Sequence, residues 1–368
     1  MWGDRQVGAT HSDSHQHSDG GSGLTLEVMS VLSLHEVLDI TTRMLRASGA
    51  SPLQTDATAR SIRDAEADGL RPIGLSYLPT YCDHVACGKV VGDAVPTVTR
   101  PRPATIVVDA GNGFCHPAFE AGLDPLVDAA RTCGVGVLVL THSYSAGVLG
   151  WFVERLAEQQ LVAVMFANSS SLMAPAGGRR PFFGTNPVAW AAPRPDQPPV
   201  VADLSSSAVA WVKVNAAAQA GEAIPLGWAL DADGDPTTDA GAALAGSMVP
   251  AAEHKGSALA LLVDVMSGGV AGSNFSFEAS DFAGTVGGPP DVGQVVLAID
   301  PTATMGAGFV ERIETVLRAL SAEPGARLPG DRRLQHRRAA ATHGVEVPDD
   351  LMAVLDAYAT HGSPARRP

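Results

Sequence analysis

Three stretches of the chain carry side chains whose types and spacing suit ligand chemistry. Gly184, Thr185 and Asn186 stand together before Pro187. The glycine lets backbone approach a ligand, the hydroxyl and amide can hold it, and the proline restricts the loop. Asp203 ends an apolar run and can accept hydrogen bonds from ribose hydroxyls. Lys255 opens an apolar helical run, where its charge and the free N–H groups of the first turn suit a phosphate or an anionic substrate group. Taken alone, Lys255 reads better as a lysine snorkelling at a helix start.

The familiar signatures for such chemistry are missing. No GxGxxG follows a strand, so a Rossmann dinucleotide fold has no direct support, and there is no GxxxxGK[ST] or HExxH. Ser205, Ser206 and Ser207 are not in a GxSxG elbow. Asp231, Asp233, Asp235 and Asp239 are spaced loosely like a calcium loop, but no glutamate closes it, and a solvated turn is the better reading. His11, His15 and His17 lie in a Ser-, Asp- and Gly-rich stretch expected to be a disordered tail over residues 1–30. No metal site is expected.

The elements that must position these residues alternate. Ser33 can cap the helix LHEVLDITTRMLRA, and TDATARSIRDAEADG continues helical. From Ala104 the pattern becomes strand, helix, strand, helix, strand: ATIVVDA, PAFEAGLDPLVDAARTCG, VGVLVLTH, GVLGWFVERLAEQQ, LVAVMFAN. That order predicts an α/β (α+β) layer with a partly parallel sheet. Residues 171–251 read as short strands joined by loops, KGSALALLVDVMSGG as a buried helix, VVLAID as a last strand and GFVERIETVLRALSA as an amphipathic helix.

The 368 residues allow two domains, and a net charge of −14 argues against a nucleic-acid or anionic-membrane surface. With no apolar run near the length of a membrane span, no leader-like start and four cysteines in no metal or disulfide pattern, the chain reads as cytoplasmic, with the thiols reduced and packed. Among 25 basic residues only Lys89, Lys213 and Lys255 are lysines, which marks each for attention.

The blocks APAGGRRPFFGTNPVAWAAP, VVADLSSSAVAWVKV, IPLGWALDADGDPTTD, EHKGSALALLVDVMSGGVAG and LPGDRR occur in that order. Together they resemble the type-2 malate/L-lactate dehydrogenase family over roughly Ser33 to Tyr358. The resemblance implies a non-Rossmann fold, a mixed sheet with flanking helices, and a homodimer using NAD(H) or NADP(H). It implies an NAD(P)-binding domain over residues 151–299 and a helical, substrate-side domain over 31–150 plus 300–368. Ser169, Gly184, Thr185, Asn186, Asp203, Leu204, Ser205, Lys255 and Gly330 fall at its cofactor positions.

Its catalytic positions are altered. The family's AD-x-x-G-x-x-SHG-x-x-R-x-P-x-Y appears as ADGLRPIGLSYLPTY, which puts Pro72 and Ile73 at the Ser and His and Tyr77 at the Arg. The second signature, NSxHFGAAGYY, appears as HSYSAGVLGWF, with Ser145 at the histidine. Isoleucine cannot exchange a proton and tyrosine cannot clamp a carboxylate bidentately. His142, Ser145, Tyr77 and His116 are the groups left to serve the pocket, remodelled toward an apolar or aromatic ligand. The function this implies is hydride transfer from NAD(P)H to a small carbonyl or imine. A non-redox biosynthetic enzyme on the same fold and a catalytically inactive nucleotide-binding relative are the other two possibilities.

Overall fold

The computed structural model describes residues 29–365, so the expected N-terminal tail lies almost entirely outside the described residues. Strand β1 (Met29–Leu32) leads into helix α1 (Leu34–Ala47), whose start is fixed by a reciprocal cap: Ser33 accepts from the Glu36 N–H while the Glu36 carboxylate accepts from the Ser33 N–H. Helix α2 (Pro52–Ala67), a 3₁₀ turn (Arg71–Ile73) and helix α3 (Leu78–Cys87) complete the N-terminal helical layer. The chain then enters the sheet through β2 (Thr97–Arg102) and β3 (Thr105–Asp109), crosses helix α4 (Cys115–Cys133), returns in β4 (Val135–Ser143), and continues through helix α5 (Gly150–Glu158), β5 (Val162–Ala167), β6 (Val188–Arg194) and β7 (Gln197–Leu204).

A smaller lobe follows: helix α6 (Trp211–Ala220), β8 (Ala229–Leu230), β9 (Pro236–Thr237), helix α7 (Ala240–Ala245) and β10 (Ser247–Met248). Helix α8 (His254–Asp264) runs into a π-helical turn (Val265–Val270), and β11 (Val292–Ile299) re-enters the main sheet. Helices α9 (Thr302–Met305), α10 (Phe309–Ala322) and α11 (Asp331–His343), strand β12 (Val345–Pro348) and helix α12 (Asp349–His361) close the chain, with β12 pairing β1.

The main sheet has seven strands in the order β2-β3-β4-β11-β5-β6-β7. Only β3 and β4 run parallel; every other neighbour is antiparallel. Alternate side chains face opposite layers, as strand geometry requires. Ile106, Val108, Leu138, Leu140, Met165 and Val296 join the core under α4 and α5, while Val139, Phe166 and Val295 face the α8 side with Val263 and Met266. The division anticipated at residue 150 separates strands that share this one sheet.

Three readings of the sequence need correction. The stretch 171–251 contains two helices besides its short strands; the Ala-rich segment of α6 has high helical propensity but little facial periodicity to reveal it. The run around α8 is not buried throughout, because Leu261, Leu262, Val265 and Val270 are 53%, 45%, 48% and 53% exposed. A run apolar on all sides signals that every face finds a cover, and within one chain only one face does. Finally, Cys82 and Cys115 are packed in the interior, but Cys133 is exposed at the end of α4.

Candidate active site

Cavities of about 460 Å³ beside α11 and 650 Å³ on the small lobe accompany a cleft of about 420 Å³ where the helical layer meets α6, and the last is the one lined by Ile73 and Tyr77. Its walls include Ile73, Tyr77 and Tyr81 on one side and Trp211, Val212 and Asn215 on the other, and no lining residue carries a charged side chain. The turn bearing Ile73 is held from behind. Glu66, buried, accepts the Leu75 N–H at 2.6 Å, and Gly74 is needed because a Cβ there would lie 2.3 Å from the Glu66 carboxylate. Burial raises the Glu66 carboxyl above its ordinary value, the Leu75 hydrogen bond opposing it. No motif or spacing points to this support.

Tyr77 precedes α3 and donates to the Phe282 carbonyl at 3.2 Å, and burial pushes its hydroxyl up to about 12. Tyr81 stands edge-on to Tyr77, Phe114 and Tyr144 at ring separations of 5.0, 5.6 and 5.9 Å. Behind them Tyr144 and His84 Nδ1 are 2.5 Å apart, and His84 Nε2 is 3.0 Å from the Gly284 carbonyl. Donation to that carbonyl leaves Nδ1 as acceptor of the Tyr144 proton. Burial and the nearby Lys89 charge push His84 down to about 4, so the ring is neutral. Lys89 is itself buried and donates to the Asp281 carbonyl, a structural use that its scarcity alone did not reveal.

The loop from β4 to α5 joins this cleft to a second region. Gly147, in a left-handed conformation with φ of 63°, approaches both the Tyr81 hydroxyl and Ile73. The Ser145 hydroxyl accepts weakly from the Gly147 N–H at 3.4 Å. Gly150, at the start of α5, donates its N–H to Asp203 at 2.9 Å. Asp203, next to last in β7, is exposed at the strand end, and desolvation by the surrounding protein pushes its carboxyl up to about 6 against the opposing backbone bonds and the Arg333 charge. Leu204 is exposed beside it, and Gly330, with φ of 89°, approaches the Val201 carbonyl on the same strand.

The remaining expected contacts divide. Gly184 is tightly enclosed, since a Cβ there would meet Ser169 Oγ at 2.3 Å, and the Ser169 hydroxyl is buried without a partner. Thr185 offers its carbonyl to the Ser206 N–H and the Ser205 hydroxyl. Asn186, by contrast, is wholly buried and its amide is committed: Nδ2 donates to the Ala260 carbonyl at 2.9 Å and Oδ1 accepts from Ser276 at 3.1 Å. Asn186 thus fastens the turn to α8 instead of presenting an amide to a ligand. Lys255 is exposed in the first turn of α8, where Gly256 allows the helix to press on the Ser206 carbonyl.

Two histidines are not brought to the cleft. His142, at φ of 48°, places Nδ1 3.2 Å from Asp109 and its N–H on Ser273. His116 is sealed between Trp151 and Phe152 with both nitrogens unpartnered, and burial, aided by the Arg155 charge, pushes it down to about 3. An uncharged ring without access to the cleft is a packing group.

The donor set suits a dinucleotide. Asp203 is a reachable carboxylate, Gly150 and Gly330 keep backbone low around it, and Lys255 stands across the Ser205–Ser206 turn. The mixed sheet carries no glycine fingerprint, so the fold is of non-Rossmann type. The structure superposes on delta1-piperideine-2-carboxylate reductase from Pseudomonas syringae pv. tomato with a TM-score of 0.85 and 38% identity, covering 89% of this chain and 99% of that one. It superposes on sulfolactate dehydrogenase from Methanocaldococcus jannaschii with a TM-score of 0.83 at 24% identity, over 90% of this chain and 97% of that one, a likeness of fold.

The chain belongs to the malate/L-lactate dehydrogenase family, which it matches over residues 32–356. It is 45% identical over 329 residues to the (2R)-3-sulfolactate dehydrogenase (NADP(+)) of Chromohalobacter salexigens, covering 89% of this chain and 98% of that one. It is 39% identical over 334 residues to Delta(1)-pyrroline-2-carboxylate reductase 1 of Burkholderia ambifaria, covering 89% and 98%. The protein is an NAD(P)-dependent oxidoreductase that transfers hydride to a small carbonyl or imine. Among the described residues no helix is long and apolar enough to cross a membrane.

Proposed function

We propose that this enzyme reduces an uncharged carbonyl or imine, having lost the family's imidazole at Ile73 and its guanidinium at Tyr77. One observation carries the reading: the cleft is lined by aromatic, aliphatic and neutral polar side chains with no cation to clamp a carboxylate. The named substrates of its relatives are carboxylates or sulfonates, which in so apolar a cleft would be stripped of water with no charge in return.

Bound NAD(P)H supplies the hydride. Asp203 accepts from a ribose hydroxyl, Gly150 and Gly330 admit the nucleotide backbone, and Lys255 with Ser205 faces its charged part. Thr185, Gly184 and Ser169 shape the turn beneath, and Leu204 covers one side. Residues 151–299 supply most of the cofactor's surroundings, with Gly150 and Gly330 added from outside, and residues 31–150 with 300–368 supply most of the substrate's, with Trp211 and Val212 added. Tyr77 and Ser145 border the substrate, while Trp211 and Val212 exclude water from it. The functional unit is a homodimer. The exposed Leu261, Leu262, Val265 and Val270 support this, lying along one stretch beside the less covered face of the sheet.

The test compares NAD(P)H loss with 2,3-butanedione and 2-methyl-1-pyrroline against pyruvate and pyrroline-2-carboxylate. A kcat/KM at least tenfold higher for the uncharged pair supports the reading. A tenfold preference for the carboxylates overturns the specificity. Cofactor binding without turnover of any of the four favours the non-redox or inactive alternative.

A further inference from the structure

We infer that the hydroxyl of Tyr81 is the proton donor to the atom that receives electrons when hydride arrives at the substrate. The inference rests on the reaction proposed above.

The chain has four tyrosines. Three have hydroxyls engaged by protein: Tyr77 with the Phe282 carbonyl, Tyr144 with His84, and Tyr358 with Asp83. The Tyr81 hydroxyl has no protein partner among the described residues. It is nonetheless closely held. Its side chain is 2% exposed, and three aromatic rings meet it edge-on and leave its ring one orientation. The hydroxyl is not among the sealed polar atoms that lack a partner, so it opens onto the cleft, where a substrate oxygen can take the place of water.

The hydroxyl is also in the right place. It borders the substrate cleft and lies 3.0 Å from where a Cβ on Gly147 would stand, with Ile73 Cγ2 3.6 Å from that same point. Thus the phenol approaches the Gly147 corner shared with Ile73, the residue aligned with the family's histidine. The groups facing it, Tyr77, Tyr144 and Cys115, are all protonated, because burial raises each of them. Burial likewise holds Tyr81 far above the usual phenol range. It is therefore protonated at every working pH, so the resting cleft holds no charge beside an uncharged substrate, and the phenolate left by proton transfer is driven to recapture a proton.

The step balances with one hydride and one proton. As hydride joins the carbonyl carbon, the π pair moves to oxygen. The Tyr81 O–H bond breaks, its proton joins that oxygen to give the alcohol, and water reaching the cleft reprotonates the phenolate. An iminium substrate already carries its proton and needs no donor.

Tyr81→Phe tests this, since it keeps every ring contact. Its kcat on 2,3-butanedione is expected to fall about 10²- to 10³-fold, the typical contribution of a positioned general acid. KM should move less than about threefold on the same scale, and reduction of 2-methyl-1-pyrroline at pH 6, as the iminium, should fall less than about fivefold. NAD(P)H affinity by fluorescence titration and the unfolding temperature should match wild type. A second variant carrying 3,5-difluorotyrosine at position 81 should change the ketone rate with phenol acidity. Equal losses on ketone and iminium, an unchanged ketone rate, or indifference to fluorination would overturn the assignment. Wild-type enzyme inert toward both compounds would overturn the proposed reaction, and the donor with it.

Discussion

Arg333 on α11 should be among the most costly charged side chains to remove. Its guanidinium grips Glu154 of α5 through two bonds of 2.8 and 3.0 Å and reaches Asp68 of the α2 terminus at 3.4 Å. Arg337, one turn on, holds the same two carboxylates. The side chains of Asp68, Glu154 and Arg333 are only 4%, 8% and 12% exposed, so the quartet is neutral overall but largely dry. Arg333→Met leaves two buried carboxylates sharing one guanidinium. Breaking a buried pair from one side costs about 3–5 kcal/mol, and the solvent still reaching the site argues for about 3 kcal/mol. Arg43→Met is the control: its partner Asp39 is one helical turn away, both are half exposed, and the loss should be about 0.3–0.5 kcal/mol. Equilibrium urea unfolding followed by tryptophan fluorescence reads both. Removing the opposing charge as well, in Arg333→Met with Glu154→Met, should restore part of the loss. The two carboxylates shift oppositely, since burial keeps Asp68 above its ordinary value, but the Arg333 charge lowers both, so removing it lets both take up protons at higher pH. Burial works to raise the Glu154 carboxyl, but hydrogen bonds from Arg337 and the charges of Arg333 and Arg337 prevail and leave it below its ordinary value. Its contribution is therefore full above the unfolded pKa of about 4.3 and is lost as pH falls through the folded value, so the gap between variant and wild type narrows in acid. An Arg333→Met protein within about 1 kcal/mol of wild type at pH 7 would refute the account of the quartet as a buried network.

Asp203→Asn should weaken NAD(P)H binding by about 10- to 100-fold, the worth of a hydrogen bond to a charged acceptor. In the wild type, affinity should decline as pH falls below about 6, where the Asp203 carboxyl takes up its proton; flat affinity from pH 8 to 5 would remove Asp203 from the cofactor site. Leu262→Glu should convert a dimer to a monomer by light scattering, because Leu262 belongs to the exposed apolar stretch on α8. A dimer that persists would place the interface elsewhere.

The capped first helix, the alternation from Ala104 onward and the late strand were legible because each rests on local periodicity or capping. The family was legible through its ordered blocks, although Asn186 shows that block membership does not assign a role: its amide is spent on Ala260 and Ser276. Helix α6 escaped because alanine gives helical propensity without a face. His142 was read as a pocket group from its residue type and His116 from its family position, and neither says anything of direction. A left-handed backbone turns the first toward Asp109, and α4 buries the second behind Trp151. Glu66, His84 and Tyr81 act through partners distant in the chain, which no spacing rule reaches.

The position of β11 has a consequence for how the molecule comes into being. It is the last strand of the main sheet to be made, yet it lies between β4 and β5 and pairs with both. A nascent chain emerging from the ribosome therefore carries two ready-made strands with nothing between them until residues 292–299 follow. During that wait each offers an open edge to any other extended chain. Stop codons before residue 292 should accordingly yield aggregates instead of smaller folded proteins, and slow translation just upstream of that point should lower the yield of enzyme.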